Sequence, residues 1–340
     1  MKKIIELKNI SKIYDKRNTG GISNLNLDII EGEVLSILGP SGSGKSTLLN
    51  ILSSKITDFS GELKTLTEVS ISYVDQRSYL DEKLSVFDNI LSHLSSEIDE
   101  EKRINQVRTT LSLFDITNES ERLPHELSGG QYQRVIIARA MVTNPTVLLF
   151  DEAFGHLDEK LRHELSNEIF PLLKSKDITL INVTHNNNEA LSFSDRVLIL
   201  NFGKVQAIGT PKDLYQMPPN LFCAQFFGFG NVIVSPFEKK GENLCFKLFN
   251  REQELSFPKY LKLEKPEGLV VIPEEAFSIA SNGNYKAKVL QSYFRGFNTL
   301  LDLSIGETFI NALIPSHTYK NEEKINFDIN LESLKFISEV

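Results

Sequence analysis

Cysteine is scarce in this chain, with Cys223 and Cys245 alone among 340 residues. Two such thiols make neither a disulfide framework nor a zinc pattern, which fits a reducing compartment. A basic excess is also missing. The 37 Lys and Arg stand against 45 Asp and Glu, a formal charge of −8, whereas a general nucleic-acid binder would carry the opposite sign. Long apolar runs are absent too. The longest uncharged stretch, Leu214 to Phe237, is broken by Pro218, Pro219, Gly228 and Gly230 and by amides such as Asn220. It reads as a packed connector rather than a membrane span. Met1-Lys2-Lys3-Ile4-Ile5-Glu6 meets an acid too early for a signal peptide, and there is no internal repeat or low-complexity tract.

What is present is a globular composition, 41% apolar and 24% charged, on a chain long enough for two domains. The first part alternates β-rich runs with helical patterns, as an α/β layered domain does. Val34 to Leu38, Thr146 to Phe150 and Ile178 to Val183 are nearly all apolar or β-branched and read as buried strands. From about 84 to 140 the pattern turns helical, with Ser85 as a cap before Val86, Ile90 and Leu94. After Asn231 alternation takes over. Asn243 to Leu248, Gly268 to Ile272, Tyr285 to Leu290, Thr299 to Ile305 and Thr308 to Leu313 predict short strands of a small β-barrel or sandwich. Two domains are therefore expected, 1–230 and 231–340.

Gly39-Pro40-Ser41-Gly42-Ser43-Gly44-Lys45-Ser46-Thr47 follows the first of these strands and opens a helix. Spacing and context together fit a phosphate-binding loop. Glycines let successive N–H groups face one anion at the positive end of the helix dipole. Lys45 adds a charge for the β- and γ-phosphates of a nucleotide, and the Ser46 hydroxyl can ligate Mg²⁺. Kinases, GTPases and transport ATPases share this motif, so it identifies nucleotide binding and not the machine.

A second anion site narrows the choice. Leu127-Ser128-Gly129-Gly130-Gln131 opens a helix with Ser128 as N-cap and two glycines that permit close approach of a phosphate. That string is expected by chance in roughly 1 chain in 2,000, so its co-occurrence with a phosphate loop carries weight. On these residues the sequence resembles the ATP-binding cassette (ABC) ATPases over about Met1 to Gly230.

The resemblance implies an α/β P-loop ABC ATPase domain with a helical subdomain. It also implies two such domains paired head to tail, with ATP between one copy's phosphate loop and the other's Ser128-Gly129-Gly130 segment. Thr146 to Glu152 resembles the Walker B strand, so Asp151 would hold Mg²⁺ and Glu152 would orient and deprotonate the attacking water. Two adjacent carboxylates beside phosphates are costly without a cation. His185 resembles the switch histidine that contacts the γ-phosphate. Gln76 matches the glutamine loop that reaches Mg²⁺ and the water and links the site to a permease. Asp158 lies in a segment that would touch the opposite subunit. Tyr14 sits where an aromatic ring stacks on adenine, and packing of that ring into the core is the alternative.

Three positions depart from the family pattern. Asp75 precedes Gln76 in place of an aromatic, Ala153 follows Glu152 in place of proline, and Gly155 replaces serine. None removes a phosphate, metal or water ligand, so an active ATPase is expected. Pro124 to Ser128 and Leu157 to Arg162 resemble importers of iron(III), oxyanions, polyamines or sugars. Gly268 to Glu275 and Tyr293 to Gly296 resemble pieces of their C-terminal all-β, OB-like (TOBE) domain. The implied partners are integral membrane permease subunits, a periplasmic or surface solute-binding protein and a second copy of the chain. The implied location is the cytoplasmic face of the membrane, peripherally attached, with no nucleic acid. A soluble ABC ATPase uncoupled from transport, or an exporter ATPase, is the alternative.

Overall fold

Apolar runs flanked by glycine turns and helix caps set the first part of the architecture. A computed structural model describes residues 2–14, 21–75, 78–263 and 265–338. By compactness the chain divides into two units, Met1–Pro211 and Lys212–Val340.

The first unit runs β1 (Lys3–Ile13), β2 (Gly21–Ile30), β3 (Val34–Leu38), α1 (Lys45–Leu52), β4 (Ser60–Thr65), β5 (Ile71–Asp75), α2 (Val86–Leu91), α3 (Glu100–Leu113) and α4 (Gly129–Met141). It continues with β6 (Val147–Asp151), α5 (Glu159–Ser175), β7 (Thr179–Val183), α6 (Asn187–Phe193), β8 (Arg196–Asn201) and β9 (Lys204–Gly209). Among the described residues these strands form an antiparallel sheet in the order β2-β1-β4 and a sheet in the order β5-β6-β7-β3-β8-β9. The second is parallel except for its β9 edge.

Strands β3 and β7 are buried along their whole length, and β6 until its final Asp151, as expected of a parallel sheet covered on both faces. Their carboxyl ends therefore lie on one edge and deliver Gly39, Asp151 and Thr184 to the same place. In open α/β sheets that edge is where ligands bind. The helical stretch packs Val86, Ile90, Val107, Leu111 and Phe114 with Val135 and Ile136 of α4 in one core. Ser85 caps α2 as expected, its side chain accepting the Asp88 N–H.

The second unit carries α7 (Pro211–Gln216), α8 (Leu221–Phe226), β10 (Asn231–Pro236), β11 (Glu238–Lys240), β12 (Asn243–Leu248), β13 (Arg251–Ser256) and β14 (Glu267–Ile272). After these come β15 (Phe277–Ile279), β16 (Tyr285–Arg295), β17 (Asn298–Ile305), β18 (Thr308–Pro315), β19 (Lys324–Ile329) and β20 (Lys335–Ile337). Among the described residues they make antiparallel sheets ordered β10-β14-β20, β11-β12-β13 and β15-β19-β16-β17-β18. The result is an OB-like all-β unit around Phe246, Val270, Leu301 and Phe327. Its strands include the alternating segments expected from the sequence. Within this unit Ala224 of α8 and the following Phe229 are buried with Leu269, Val271 and Ile337.

Candidate functional site

The loop between β3 and α1 is held tightly at both ends. Gly39 has φ +151°, and a Cβ there would lie 2.2 Å from the Leu200 carbonyl oxygen. Gly44 has φ +103°, with a Cβ 2.3 Å from the Gly21 carbonyl oxygen. Only glycine fits either position. Between them a Cβ on Gly42 would meet nothing within 4 Å, so the loop cradles open space. Pro40, Ser41 and Gly42 are exposed, while Ser43, Lys45 and Thr47 are buried. The Ser43 hydroxyl is buried without a hydrogen-bond partner, an unmet group of the kind a bound phosphate would satisfy.

Lys45 opens α1 and folds its ammonium back onto the loop. Its Nζ donates to the carbonyl oxygens of Gly39 at 2.8 Å and Pro40 at 3.0 Å. Burial pulls the Lys45 pKa below its ordinary value, opposed by the Glu152 and Asp151 carboxylates. The Ser46 hydroxyl donates to Asp151 Oδ1 at 3.3 Å, and the Tyr73 phenol donates to Asp151 Oδ2 at 3.0 Å. Burial, with Asp151 alongside, pushes the Tyr73 phenol far above its usual range.

Glu152 follows β6 in the left-handed region, φ +54°, a conformation that costs a non-glycine residue about 1–3 kcal/mol and concentrates at functional sites. Its N–H donates to the Val183 carbonyl at 3.0 Å, tying it to the end of β7. Glu152 Oε1 lies 2.6 Å from His185 Nε2. The structure thus brings together Lys45, Ser46, Asp151, Glu152 and His185. Gln76 lies outside the described residues. Tyr14 is 56% exposed, with the Lys12 ammonium 5.5 Å from its ring centroid, so its ring is not a core element.

The second predicted anion site is a helix start of its own. Ser128 caps α4 by accepting the Gln131 N–H at 3.3 Å, while its own N–H donates to Gln131 Oε1 at 2.9 Å. This reciprocal capping box is anchored by Gln131 Nε2 donating to Glu119 Oε1 at 2.9 Å. Ser128 and Gly129 are exposed, and Gly130 is buried against Leu161, whose Cδ1 would lie 3.1 Å from an added Cβ. The cleft beside Ser128 is lined by Asp115, Glu119, Arg134 and Glu168 among others, and by no phosphate-loop residue. Asp158 caps α5 by accepting the Leu161 N–H at 3.0 Å.

Two supports escaped the sequence reading. Arg162 donates from Nε to the Phe154 carbonyl at 3.1 Å and from Nη2 to the Leu157 carbonyl at 2.9 Å, which fixes the turn containing Gly155. Tyr73 is the other, and its place in the Ile71–Asp75 strand gave no hint of a contact with Asp151.

With the geometry in view, comparison with known proteins is specific. A family model described as "ABC transporter" matches residues 22–155. The spermidine/putrescine import ATP-binding protein PotA of Borreliella afzelii is 35% identical over 316 residues, covering 90% of this chain and 90% of that protein. The chain belongs to the ABC transporter family of ATP-binding subunits. PotA of Clostridium acetobutylicum is likewise 35% identical, over 90% of this chain and 88% of its own. Among solved structures, a dimeric bacterial ABC transporter cassette, MJ0796, aligns with TM-score 0.53 and 31% identity, covering 61% of this chain and 99% of that one. As an ABC ATPase the chain binds ATP and hydrolyses it.

The oxygen donors also suit a divalent cation. Ser46 Oγ and Asp151 Oδ1 are hard ligands 3.3 Å apart, and Mg²⁺ normally takes one or two protein ligands with phosphate and water completing its shell. No cluster of three or more His, Cys, Asp or Glu that could hold a metal occurs among the described residues. No helix among the described residues is long and apolar enough to cross a membrane.

Proposed function

We propose that this ABC subunit energises solute import, with a polyamine as the cargo class, through integral membrane permease subunits supplied by a periplasmic or surface solute-binding protein. The cargo class rests on the import proteins it resembles over nine-tenths of its length. The catalytic reading rests chiefly on one observation, Glu152 held at φ +54° with its carboxylate against His185. The subunit acts as a homodimer, peripheral on the cytoplasmic face of the membrane. Its nucleotide-binding domain corresponds to 1–230 with helical subdomain 84–140, followed by the TOBE-like domain.

In this reading Gly39 to Thr47 wrap the phosphates, with Lys45 turning its ammonium from the Gly39 and Pro40 carbonyls to the β- and γ-oxygens. Tyr14 stacks on the adenine, where base–aromatic contacts contribute about 1–3 kcal/mol. Ser46, Asp151 and Gln76 hold Mg²⁺, which when bound supplies positive charge to the β- and γ-phosphate oxygens. Glu152 accepts a proton from the water that attacks the γ-phosphorus, as the bond to the ADP oxygen breaks. His185 keeps the Glu152 carboxylate aimed and contacts the γ-phosphate. Ser128, Gly129, Gly130 and Gln131 of the second copy close the pocket, with Asp158 near the junction.

Glu152→Gln tests this assignment. It should preserve ATP binding, trap a dimer in ATP and Mg²⁺, and abolish radiolabelled spermidine uptake by cells that also express the permease. Uptake at the unmodified rate would overturn it. Mixing Lys45→Ala with Ser128→Arg subunits should leave one competent site per heterodimer. Complete loss of nucleotide trapping there would refute the head-to-tail arrangement.

A further inference from the structure

Asp151 is a carboxylate with both oxygens engaged, and the two engagements differ in kind. Oδ1 accepts from Ser46, the other proposed Mg²⁺ ligand, at 3.3 Å. Oδ2 accepts from the phenol of Tyr73 at 3.0 Å. Strand register explains the reach. Tyr73 pairs with Leu149 in the parallel β5/β6 ladder, and Asp75 pairs with Asp151. Leu149 and Asp151 face the same side of the sheet, so a tyrosine opposite Leu149 is long enough to extend forward to Asp151.

A third group stands behind the phenol. Lys55, three residues past the end of α1, places its ammonium 3.6 Å from the Tyr73 ring centroid. It also lies 3.9 Å from Asp75 Oδ2. A cation over an aromatic face is attracted to the ring quadrupole, and it makes the attached hydroxyl a stronger donor. Lys55 therefore ties the far end of the phosphate-loop helix to the tyrosine that grips Asp151.

We infer that Tyr73 is a positioning residue for the cation site. By occupying Oδ2 it fixes the plane of the Asp151 carboxylate and turns Oδ1 towards Ser46 and the metal, and Lys55 reinforces it through the ring. This rests on the proposed metal role of Asp151. Partners that hydrogen-bond a metal-ligating carboxylate typically matter by 10–100-fold in metal affinity or activity. With Oδ2 released, the carboxylate turns more freely and presents Oδ1 less of the time.

The test measures binding rather than turnover. ATP affinity is measured by calorimetry on the full chain, once in EDTA and once in Mg²⁺, and the ratio of the two constants is the metal-dependent gain. For Tyr73→Phe, which keeps the ring beneath Lys55, the gain should fall about tenfold while affinity in EDTA stays within twofold. Lys55→Gln should lower the gain about two- to threefold, Lys55→Arg should restore it, and Lys55→Gln should add nothing to Tyr73→Phe.

Asp151→Asn separates the two levels of the argument. If Asp151→Asn loses the gain and Tyr73→Phe keeps it, the positioning role is overturned and the metal role of Asp151 stands. If Asp151→Asn keeps the gain, both fall. A Tyr73→Phe protein that loses affinity equally with and without Mg²⁺ would also overturn the inference, since the phenol would then be holding the site's shape and not its cation ligand.

Discussion

The carboxylate of Glu152 and the imidazole of His185 meet at 2.6 Å, Oε1 to Nε2, across the ends of two neighbouring strands. The backbone fixes both partners. The Glu152 N–H is bonded to the Val183 carbonyl, and the Thr184 hydroxyl accepts the Asn186 N–H at 3.0 Å just beyond. The strand ends thus hold the pair within hydrogen-bonding distance.

Replacing His185 should accordingly cost rate more than affinity. His185→Ala is expected to lower kcat by about 10²–10³, in the range of a general acid–base or electrostatic partner, and to leave the ATP dissociation constant within about threefold. Steady-state hydrolysis and equilibrium nucleotide titration check the two quantities separately. A large loss of affinity with kcat retained would give His185 a binding role.

Gly44 and Gly42 of the phosphate loop should separate stability from ligand binding. Gly44→Ala places a methyl 2.3 Å from a carbonyl oxygen at φ +103°, so it should lower Tm and ATP affinity together. Gly42→Ala points its methyl into the open cradle at φ +78°. Its stability cost should be limited to about 1–2 kcal/mol of left-handed strain, with ATP affinity falling at least tenfold. Thermal melts and titrations on both variants make the comparison.

Glu119 is expected to matter for ATP-driven association. It anchors Gln131, whose side chain is half of the Ser128 capping box, and an amide bonded to a charged acceptor contributes about 1.5–3 kcal/mol. Glu119→Ala should move the midpoint of ATP-induced dimerisation about tenfold to higher protein concentration, without changing ATP binding by the isolated subunit. Sedimentation velocity reads the first and fluorescence titration the second.

The cysteines should differ in reactivity. Cys223 is fully buried, and that burial pushes its pKa up to about 12 from 9.0, with Asn220 opposing the shift. Below pH 10 almost no thiolate forms, and thiolate is the reactive species. Iodoacetamide at pH 8 should modify the half-buried Cys245 and leave Cys223 untouched until the chain is unfolded in guanidinium. Mass spectrometry of the digested protein distinguishes the two sites.

Much of this architecture was legible because its signals are local. Val34 to Leu38, Thr146 to Phe150 and Ile178 to Val183 announce buried strands by being nearly all apolar or β-branched. Ser85 and Ser128 announce helix starts by residue type. What stayed hidden depends on distance along the chain. Tyr73 reaches Asp151 across 78 residues and Gln131 reaches Glu119 across 12, and neither pairing leaves a trace in periodicity. Glu152 shows nothing in the sequence of its left-handed backbone, which coincides with its bond to Val183.

The order of strands has a consequence for biosynthesis. β7 lies between β3 and β6 in the sheet, yet it is made after both. A nascent chain that has emerged only to Ser175 already carries Lys45 and Asp151 but lacks the strand that spaces them. Nucleotide therefore cannot serve as an early template for cotranslational folding. It becomes a stabilising ligand only once β7, ending at Val183, has joined β3 and β6.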